Sequence, residues 1–99
     1  MHVISKKRLR EFWKKHPDSE TPLAAWYKTA SRASWKSIND VRKTYPHADA
    51  IDSCTVINVG GNDYRLILKI NYRRQVVYIR WVLTHAEYDK ERWQRDCKP

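Results

Sequence analysis

The sequence is poor in glycine, cysteine and long apolar runs, and each shortage limits what the chain can be. Its two glycines are adjacent, at Gly60 and Gly61, so most of the backbone is expected to be regular or carried by ordinary residues. No apolar run is long enough for a transmembrane helix, and no basic segment followed by an apolar one opens the chain as in a signal peptide. The sequence therefore predicts a cytoplasmic protein with no membrane partner.

The two cysteines, Cys54 and Cys97, lie far apart in the sequence, and neither has a Cys or His at metal-ligand spacing. Thiols of cytoplasmic proteins are normally kept reduced, so we expect two free thiols and no disulfide. The sequence also lacks a carboxylate cluster suited to a metal ion. We therefore expect no metal site and no cofactor.

Acidic residues are outnumbered by basic ones. The 99 residues, enough for one compact domain over 1–99, carry 20 Lys and Arg against 11 Asp and Glu, a net charge of +9. Such a charge predicts a polyanionic partner, attracted by counterion release. Nucleic acid, an acidic protein surface and an anionic membrane are all polyanions, so charge alone does not choose among them.

Helical spacing dominates the first half of the chain. Residues 6–16 form an amphipathic run that follows Ser5, a good N-cap residue, and stops at Pro17. Thr21 and Pro22 provide an N-cap and a proline at the first position of a second helix. The apolar stripes of these helices are Leu9, Phe12 and Trp13, and then Leu23, Trp26, Tyr27 and Ala30.

A third, shorter helix is expected after Ser37, whose spacing to Asp40 resembles a capping box, and it should end before Pro46. Strand periodicity follows, with turns at 60–63 and 73–74. Strands are predicted over residues 54–59, 64–72 and 75–83. Thr84 and Glu87 then fit the capping box of a short terminal helix. Helices followed by an antiparallel meander predict an α+β fold, with the N-terminal helices packed on one face of a small, mainly antiparallel sheet.

Strand alternation predicts which side chains share a face of this sheet. We expect the helices to cover Tyr64, Leu66, Leu68, Ile70 and Tyr72 together with Val77, Ile79, Trp81 and Leu83. The opposite face would then present Arg65, Lys69, Tyr78 and Arg80 to solvent or to a ligand. Cations and an aromatic ring on one rigid surface suit single-stranded RNA, although cations on an outward strand face are commonly just solvated.

His85 is the histidine with chemically interesting neighbours, because Tyr88, Asp89 and Lys90 follow it within one helical turn. Imidazole has an ordinary pKa near neutrality, which suits acid–base catalysis. A lone histidine at a strand end is more often a plain surface residue, and its neighbours favour the catalytic interpretation. Without a metal, hydrolysis of RNA could use the 2′-hydroxyl as an internal nucleophile.

Three parts of the sequence resemble the HigB family of bacterial toxins, which is part of the RelE-like superfamily. They are the opening residues MHVIS, the segment VINVGGNDYRL at 56–66 and the segment VYIRWVLTHAEYDK at 77–90. The resemblance covers nearly the whole chain and implies a RelE-like toxin fold and cleavage of messenger RNA, often on a translating ribosome. It also implies a cognate helix-turn-helix antitoxin (HigA-like), with operator DNA bound only through the toxin–antitoxin complex.

The resemblance also implies candidate site residues. Arg65 matches a basic residue of the middle strand that holds the scissile phosphate, and His85 and Tyr88 match acid–base or phosphate-binding groups near the end of the last strand. Lys69 and Arg80 are candidate phosphate clamps, and Lys90 is a weaker one. Superfamily members differ in their catalytic groups, so these positions identify candidates.

Three functions remain compatible with the residues. The first is an endoribonuclease, favoured by the compact group around His85, which phosphate binding does not require. The second is a module that binds RNA or the ribosome without cutting. The third is a protein whose positive face binds an acidic protein partner.

Overall fold

A computed structural model describes residues 1–98 and contains five strands, four α-helices and two short 3-10 helices. The helices are α1 (Lys6–Lys15), α2 (Glu20–Arg32), α3 (Ile38–Thr44) and α4 (His85–Asp89), with 3-10 helices at Pro17–Ser19 and Arg92–Cys97. The strands are β1 (His2–Ile4), β2 (Asp49–Ile51), β3 (Cys54–Val59), β4 (Tyr64–Asn71) and β5 (Val76–Thr84). No helix among residues 1–98 is long and apolar enough to cross a membrane.

The strands form one sheet in the order β1-β5-β4-β3-β2. β2 to β5 pair antiparallel with their neighbours, while β1 runs parallel to β5. The predicted α+β class and the mainly antiparallel sheet are confirmed. The edge strands β1 and β2 were not predicted. Three residues are too few for alternation to reveal a strand.

The helices and one face of the sheet enclose the larger hydrophobic core. Its fully buried members include Leu9 of α1, Leu23 and Trp26 of α2, and Leu66 and Leu68 of β4. The stripes predicted for the first two helices thus supply core residues, because apolar side chains three and four positions apart lie on one helical face.

Helix boundaries differ from the prediction in detail. α2 begins at Glu20, directly after the 3-10 helix, so Thr21 is not its N-cap and Pro22 lies within the first turn. Ser5 and Ser37 occupy N-cap positions, but neither side chain makes a capping hydrogen bond. The capping box of α4 is confirmed, with reciprocal bonds between Thr84 and Glu87.

A β-bulge changes which β5 residues face the helices. Ile67 pairs with Trp81 and Leu68 pairs with Ile79, so Arg80 is an extra residue in β5. Beyond the bulge the alternation is inverted. The prediction that Trp81 and Leu83 face the helices is therefore wrong, and Val82 packs against the helical core instead.

The opposite face of the sheet carries a second, smaller core. It comprises Cys54, Val56, Ile67, Leu83, Trp93 and Cys97. The C-terminal 3-10 helix folds back over this face, so the surface predicted to be open is partly covered.

Cys54 and Cys97 form a disulfide in this small core, and the expectation of two free thiols is wrong. The two cysteines are separated by 43 positions in the sequence, and the fold brings them together. The backbone N–H and the hydroxyl of Ser53 both donate to the carbonyl of Cys97, at 2.8 and 2.7 Å, and hold the C-terminal segment beside the start of β3. Distance along the sequence could not show this proximity.

Candidate active site beside the start of β4 and the end of β5

The antiparallel pairing of β4 with β5 brings the candidate catalytic residues to one place. Tyr64 lies opposite Thr84, and Arg65 lies opposite Leu83, so α4 begins next to the start of β4. The backbone N–H of His85 also donates to the carbonyl of Asp63, at 3.0 Å, which ties α4 to the β3–β4 turn. Arg65, His85 and Tyr88, 23 residues apart at most in the sequence, are thus neighbours.

Arg65 is buried, with 7% of its surface exposed, whereas the sequence predicted that it faces solvent or a ligand. His85 and Tyr88 of α4 lie against its side chain. Its Nη1 donates to the carbonyls of Asn62 and Tyr64 at 2.9 and 3.1 Å, and its Nη2 lies 3.1 Å from Nδ1 of His85. Carbonyl oxygens and an imidazole nitrogen therefore fix the guanidinium in place. A guanidinium has five N–H donors, and these contacts use three of them.

The surroundings of His85 constrain its tautomer. Nδ1 lies 3.1 Å from Nη2 of Arg65, which can only donate, so a neutral ring accepts there and carries its proton on Nε2. Nε2 faces a carboxylate oxygen of Asp89 at 3.3 Å. Nδ1 is also 3.2 Å from the carbonyl of Asn62, which can accept from a protonated ring. Both charge states of the imidazole thus have partners, and the side chain is 54% exposed.

The Tyr88 ring contacts both an aromatic ring and a guanidinium. Its ring stacks on Trp93 with centroids 5.0 Å apart, and Trp93 Nε1 donates to the Tyr88 carbonyl at 2.9 Å. The Cζ atom of Arg65 lies 5.2 Å from the centroid of the Tyr88 ring. Burial raises the pKa of Tyr88 above its ordinary value, although the nearby Arg65 charge opposes that effect. Tyr88 therefore remains a phenol at neutral pH and can act as a proton donor.

The other predicted residues are spread along the same region. Lys69 is half-buried and lies opposite the exposed Tyr78 in the β4–β5 pair. Arg80 is exposed at the bulge, and its carbonyl accepts from Nη1 of Arg8 at 2.8 Å. Lys90 is exposed just after α4. The structure thus brings Arg65, His85 and Tyr88 into contact. Lys90 touches this group only through its backbone N–H, which donates to the carbonyl of Tyr88.

Sequence reasoning missed Trp93 as a support of Tyr88 and Trp81 as a member of this face. The contact of Trp93 with Tyr88 could have been inferred, because Trp93 follows Tyr88 by five residues, just after a capped helix. The position of Trp81 depends on the bulge, which no local sequence pattern marks. Among residues 1–98, no group of three or more His, Cys, Asp or Glu side chains is arranged to hold a metal ion.

Comparison with known proteins identifies the family. Residues 19–91 match the model of the HigB toxin family, described as the RelE-like toxic component of a toxin-antitoxin system. The chain is 35% identical over 92 residues to the mRNA interferase toxin HigB of Escherichia coli K12, covering 90% of this chain and 88% of that protein. It is 30% identical over 102 residues to the mRNA interferase HigB of E. coli O6:H1, covering 99% of both chains.

The matched region contains Arg65, His85 and Tyr88, and the fold agrees with the α+β architecture that the sequence predicts for such toxins. The chain belongs to the HigB family of RelE-like toxins.

Proposed function

We propose that this chain is the toxin of a type II toxin–antitoxin system and cleaves messenger RNA on the translating ribosome without a metal ion. Two relatives that match most of its length are named mRNA interferases, which supports messenger RNA as the substrate. The net charge of +9 supports binding to ribosomes and their message, because each neutralised phosphate releases a counterion.

The observation that carries the proposal is the contact between Arg65, His85 and Tyr88. A module that only binds RNA needs cations at its surface, and it gains nothing from a buried guanidinium that fixes an imidazole and lies beside a phenol. Transphosphorylation of RNA needs these groups: a proton acceptor, a proton donor, and a positive charge near the phosphorus.

The geometry supports one assignment of roles. The 2′-hydroxyl oxygen attacks the adjacent phosphorus while its proton passes to Nδ1 of His85, the unprotonated ring nitrogen, which gives up its hydrogen bond from Nη2 of Arg65. The protonated ring can then donate to Asn62 and Asp89. The bond from phosphorus to the 5′ oxygen breaks as the Tyr88 phenol gives its proton to that oxygen. The products are a 2′,3′-cyclic phosphate and a 5′-hydroxyl end, and exchange with water restores both side chains.

Arg65 stabilises the negative charge that grows on the phosphate oxygens during this step. Its two N–H donors beyond the three contacts described are available for that purpose, so the guanidinium can bind phosphate without leaving its position. Because Arg65 is buried, the phosphate has to approach along its edge beside the exposed His85. Lys69, Arg80 and Lys90 attract the flanking phosphates, and Tyr78 offers a ring to a base.

Membership of the HigB toxin family supports the following partners. A cognate helix-turn-helix antitoxin, HigA-like, holds the toxin inactive, and operator DNA is contacted only through the pair. The alternative is a non-catalytic basic module that binds RNA or the ribosome. That module would bind translated messages and leave them uncut.

The experiment is primer-extension mapping of a translated message incubated with the purified chain in the presence of a chelator that leaves ribosomes intact. We expect discrete cuts ending in a 2′,3′-cyclic phosphate. His85→Ala and Tyr88→Phe should each slow cleavage roughly 10²–10⁴-fold, the usual contribution of an acid–base group, with ribosome binding retained. His47→Ala, which removes an exposed histidine outside the site, is the matched control and should cut like the parent.

A variant lacking both His85 and Tyr88 that still cuts at the parent rate would reject these roles. A parent chain that binds programmed ribosomes and leaves their message whole would favour the non-catalytic module.

A further inference from the structure

Three large apolar side chains among residues 1–98 are exposed, and all three lie on the sheet face that carries Arg65. They are Ile4, Tyr78 and Trp81, with 39%, 42% and 37% of their surfaces exposed. Ile4 pairs with Tyr78 across β1 and β5, and Tyr78 pairs with Lys69 across β5 and β4. Residues paired across strands project to the same face, so these side chains form one patch.

Trp81 lies between this patch and the candidate active site. Its partner in β4 is Ile67, which stands two residues from Arg65 on one side and two from Lys69 on the other. Two residues of a strand span about 7 Å, so the indole is next to the site and also next to the Lys69–Tyr78 pair. The order along the face is Arg65, then Trp81, then Lys69 with Tyr78.

The indole ring is fixed, although more than a third of the residue is exposed. Trp81 Nε1 donates to a carboxylate oxygen of Asp96 at 2.7 Å, so its polar edge is satisfied and its orientation is set by the C-terminal 3-10 helix. Ring faces do not need a hydrogen-bond partner, and an exposed, oriented indole is suited to stacking. The bulge at Arg80 is the reason that this ring points away from the helical core.

Basic residues line a groove that runs from Trp81 toward α1. This groove between α1 and β5 includes Lys7, Arg8 and Lys15. Its two acids, Glu11 and Glu87, are fewer than these cations, and Glu11 pairs with Lys7 at 3.8 Å. An exposed ring next to cations and beside a phosphate site fits a nucleobase of a single strand better than it fits the apolar, charge-poor centre of a protein interface.

We propose that Trp81 is a stacking platform for the messenger RNA base beside the scissile phosphate. The proposal rests on the proposed function and adds a residue that fixes the position of the message, and with it the choice of the cleaved bond. Arg65 and its neighbours act on the phosphate, Trp81 holds the adjoining base, and Lys69 with Tyr78 receives the next part of the strand.

The test uses the full chain and a programmed ribosome complex whose message carries 2′-O-methyl groups at the cleavage site, which block attack and allow equilibrium binding. Stacking on an aromatic ring is typically lost with about a 5- to 100-fold decrease in affinity per base, and Trp81→Ala should show a decrease in that range. Trp81→Phe keeps a smaller ring and should lose less. The dependence of affinity on salt should be unchanged in both variants, whereas Lys69→Ala should lower its slope.

An abasic series separates stacking from a structural effect. Messages that lack one base at a time should show, for the parent chain, a single position beside the cleaved bond whose loss weakens binding as much as Trp81→Ala does. That abasic position should cost nothing further in Trp81→Ala, because the same interaction is already absent. Asp96→Ala is the matched control for the lost hydrogen bond and should weaken binding less than Trp81→Ala.

Equal losses in Asp96→Ala and Trp81→Ala would overturn the proposal, because the tether of the C-terminal segment and not the ring would then be responsible. Additive losses at every abasic position, or a Trp81→Ala variant that binds message normally and fails only to bind its antitoxin, would also overturn it. In these cases the parent still cuts, so the proposed function stands. A parent chain that neither binds nor cuts messages would reject that function, and the stacking role with it.

Discussion

The two faces of the sheet are built from the same strands and differ in almost every other respect. The face under α1 and α2 buries a broad apolar core, with Leu66 and Leu68 fully covered. The opposite face has a small core held by a disulfide, and beside it a buried arginine in contact with a histidine. Adjacent residues illustrate the division, since Tyr64 packs toward the helices while Arg65 belongs to the site. Both sides of the sheet thus contribute to stability, whereas the candidate active site lies on one side alone.

Truncating a leucine on each face tests this division most strongly. Leu66 and Leu83 are both buried, and replacement of either by Ala should lower the free energy of unfolding by about 2–5 kcal/mol through lost contacts and a cavity. Leu83 lies opposite Arg65, so Leu83→Ala should also slow cleavage per folded molecule, whereas Leu66→Ala should not. Denaturant unfolding and single-turnover cleavage below the melting temperature measure the two effects. Equal loss of cleavage in both variants would show that the faces are not independent.

The two faces were also unequally predictable from the sequence. Helical stripes and strand alternation predicted the larger core up to the bulge in β5, because burial on one side of a regular element imposes a period. The proximity of His85 and Tyr88 could be predicted from the sequence because the two residues lie within one helical turn. The burial of Arg65 and the position of Trp81 were not predictable, since the first depends on contacts with His85 and Tyr88 of α4 and the second on one extra residue in β5. Both are tertiary effects without a local pattern.

Removing the disulfide tests how much the face that carries Arg65 depends on this crosslink for its stability. Cys54→Ala with Cys97→Ala should lower the free energy of unfolding by about 2–4 kcal/mol, because a crosslink between cysteines 43 positions apart restricts the unfolded chain. The variant should also cleave more slowly, since the C-terminal segment holds Trp93 against Tyr88. Reducing agent should destabilise the parent and leave the double variant unaffected. Identical melting temperatures for the parent and the variant, both without reductant, would contradict the assigned role.

The turn between β3 and β4 contacts residues of both faces of the sheet. Its two glycines should differ in how much stability is lost when each is replaced by alanine. Both have a positive φ, +62° at Gly60 and +67° at Gly61. A Cβ at Gly61 meets nothing within 4 Å, so Gly61→Ala should cost only the backbone strain, roughly 1–2 kcal/mol. A Cβ at Gly60 would lie 3.2 Å from the Tyr64 ring, so Gly60→Ala should lower the melting temperature further. A larger loss in Gly61→Ala would indicate a different turn.

The smallest expected effect belongs to Tyr64, and its size should change with pH only in alkali. Its hydroxyl donates to Asp18 at 2.5 Å, and this bond, together with burial, raises the pKa of Tyr64 from 10.0 to about 12. Because the pKa is raised in the folded state, the phenol stabilises the fold below pH 10, and that contribution is lost as the pH rises from 10 to about 12. Tyr64→Phe should therefore be less stable than the parent at neutral pH, and the difference should shrink over this interval.

Unfolding curves of both proteins across that range, with tyrosinate absorbance followed in parallel, make the comparison. Tyr45 and Tyr72, whose pKa values burial also raises, titrate in both proteins and cancel in the difference. Since the Tyr64 side chain packs toward the helices, messenger RNA cleavage at neutral pH should be unchanged in Tyr64→Phe. A constant stability difference up to pH 12 would show that Asp18 does not hold the phenol, and a large loss of cleavage would place Tyr64 functionally with its neighbour Arg65.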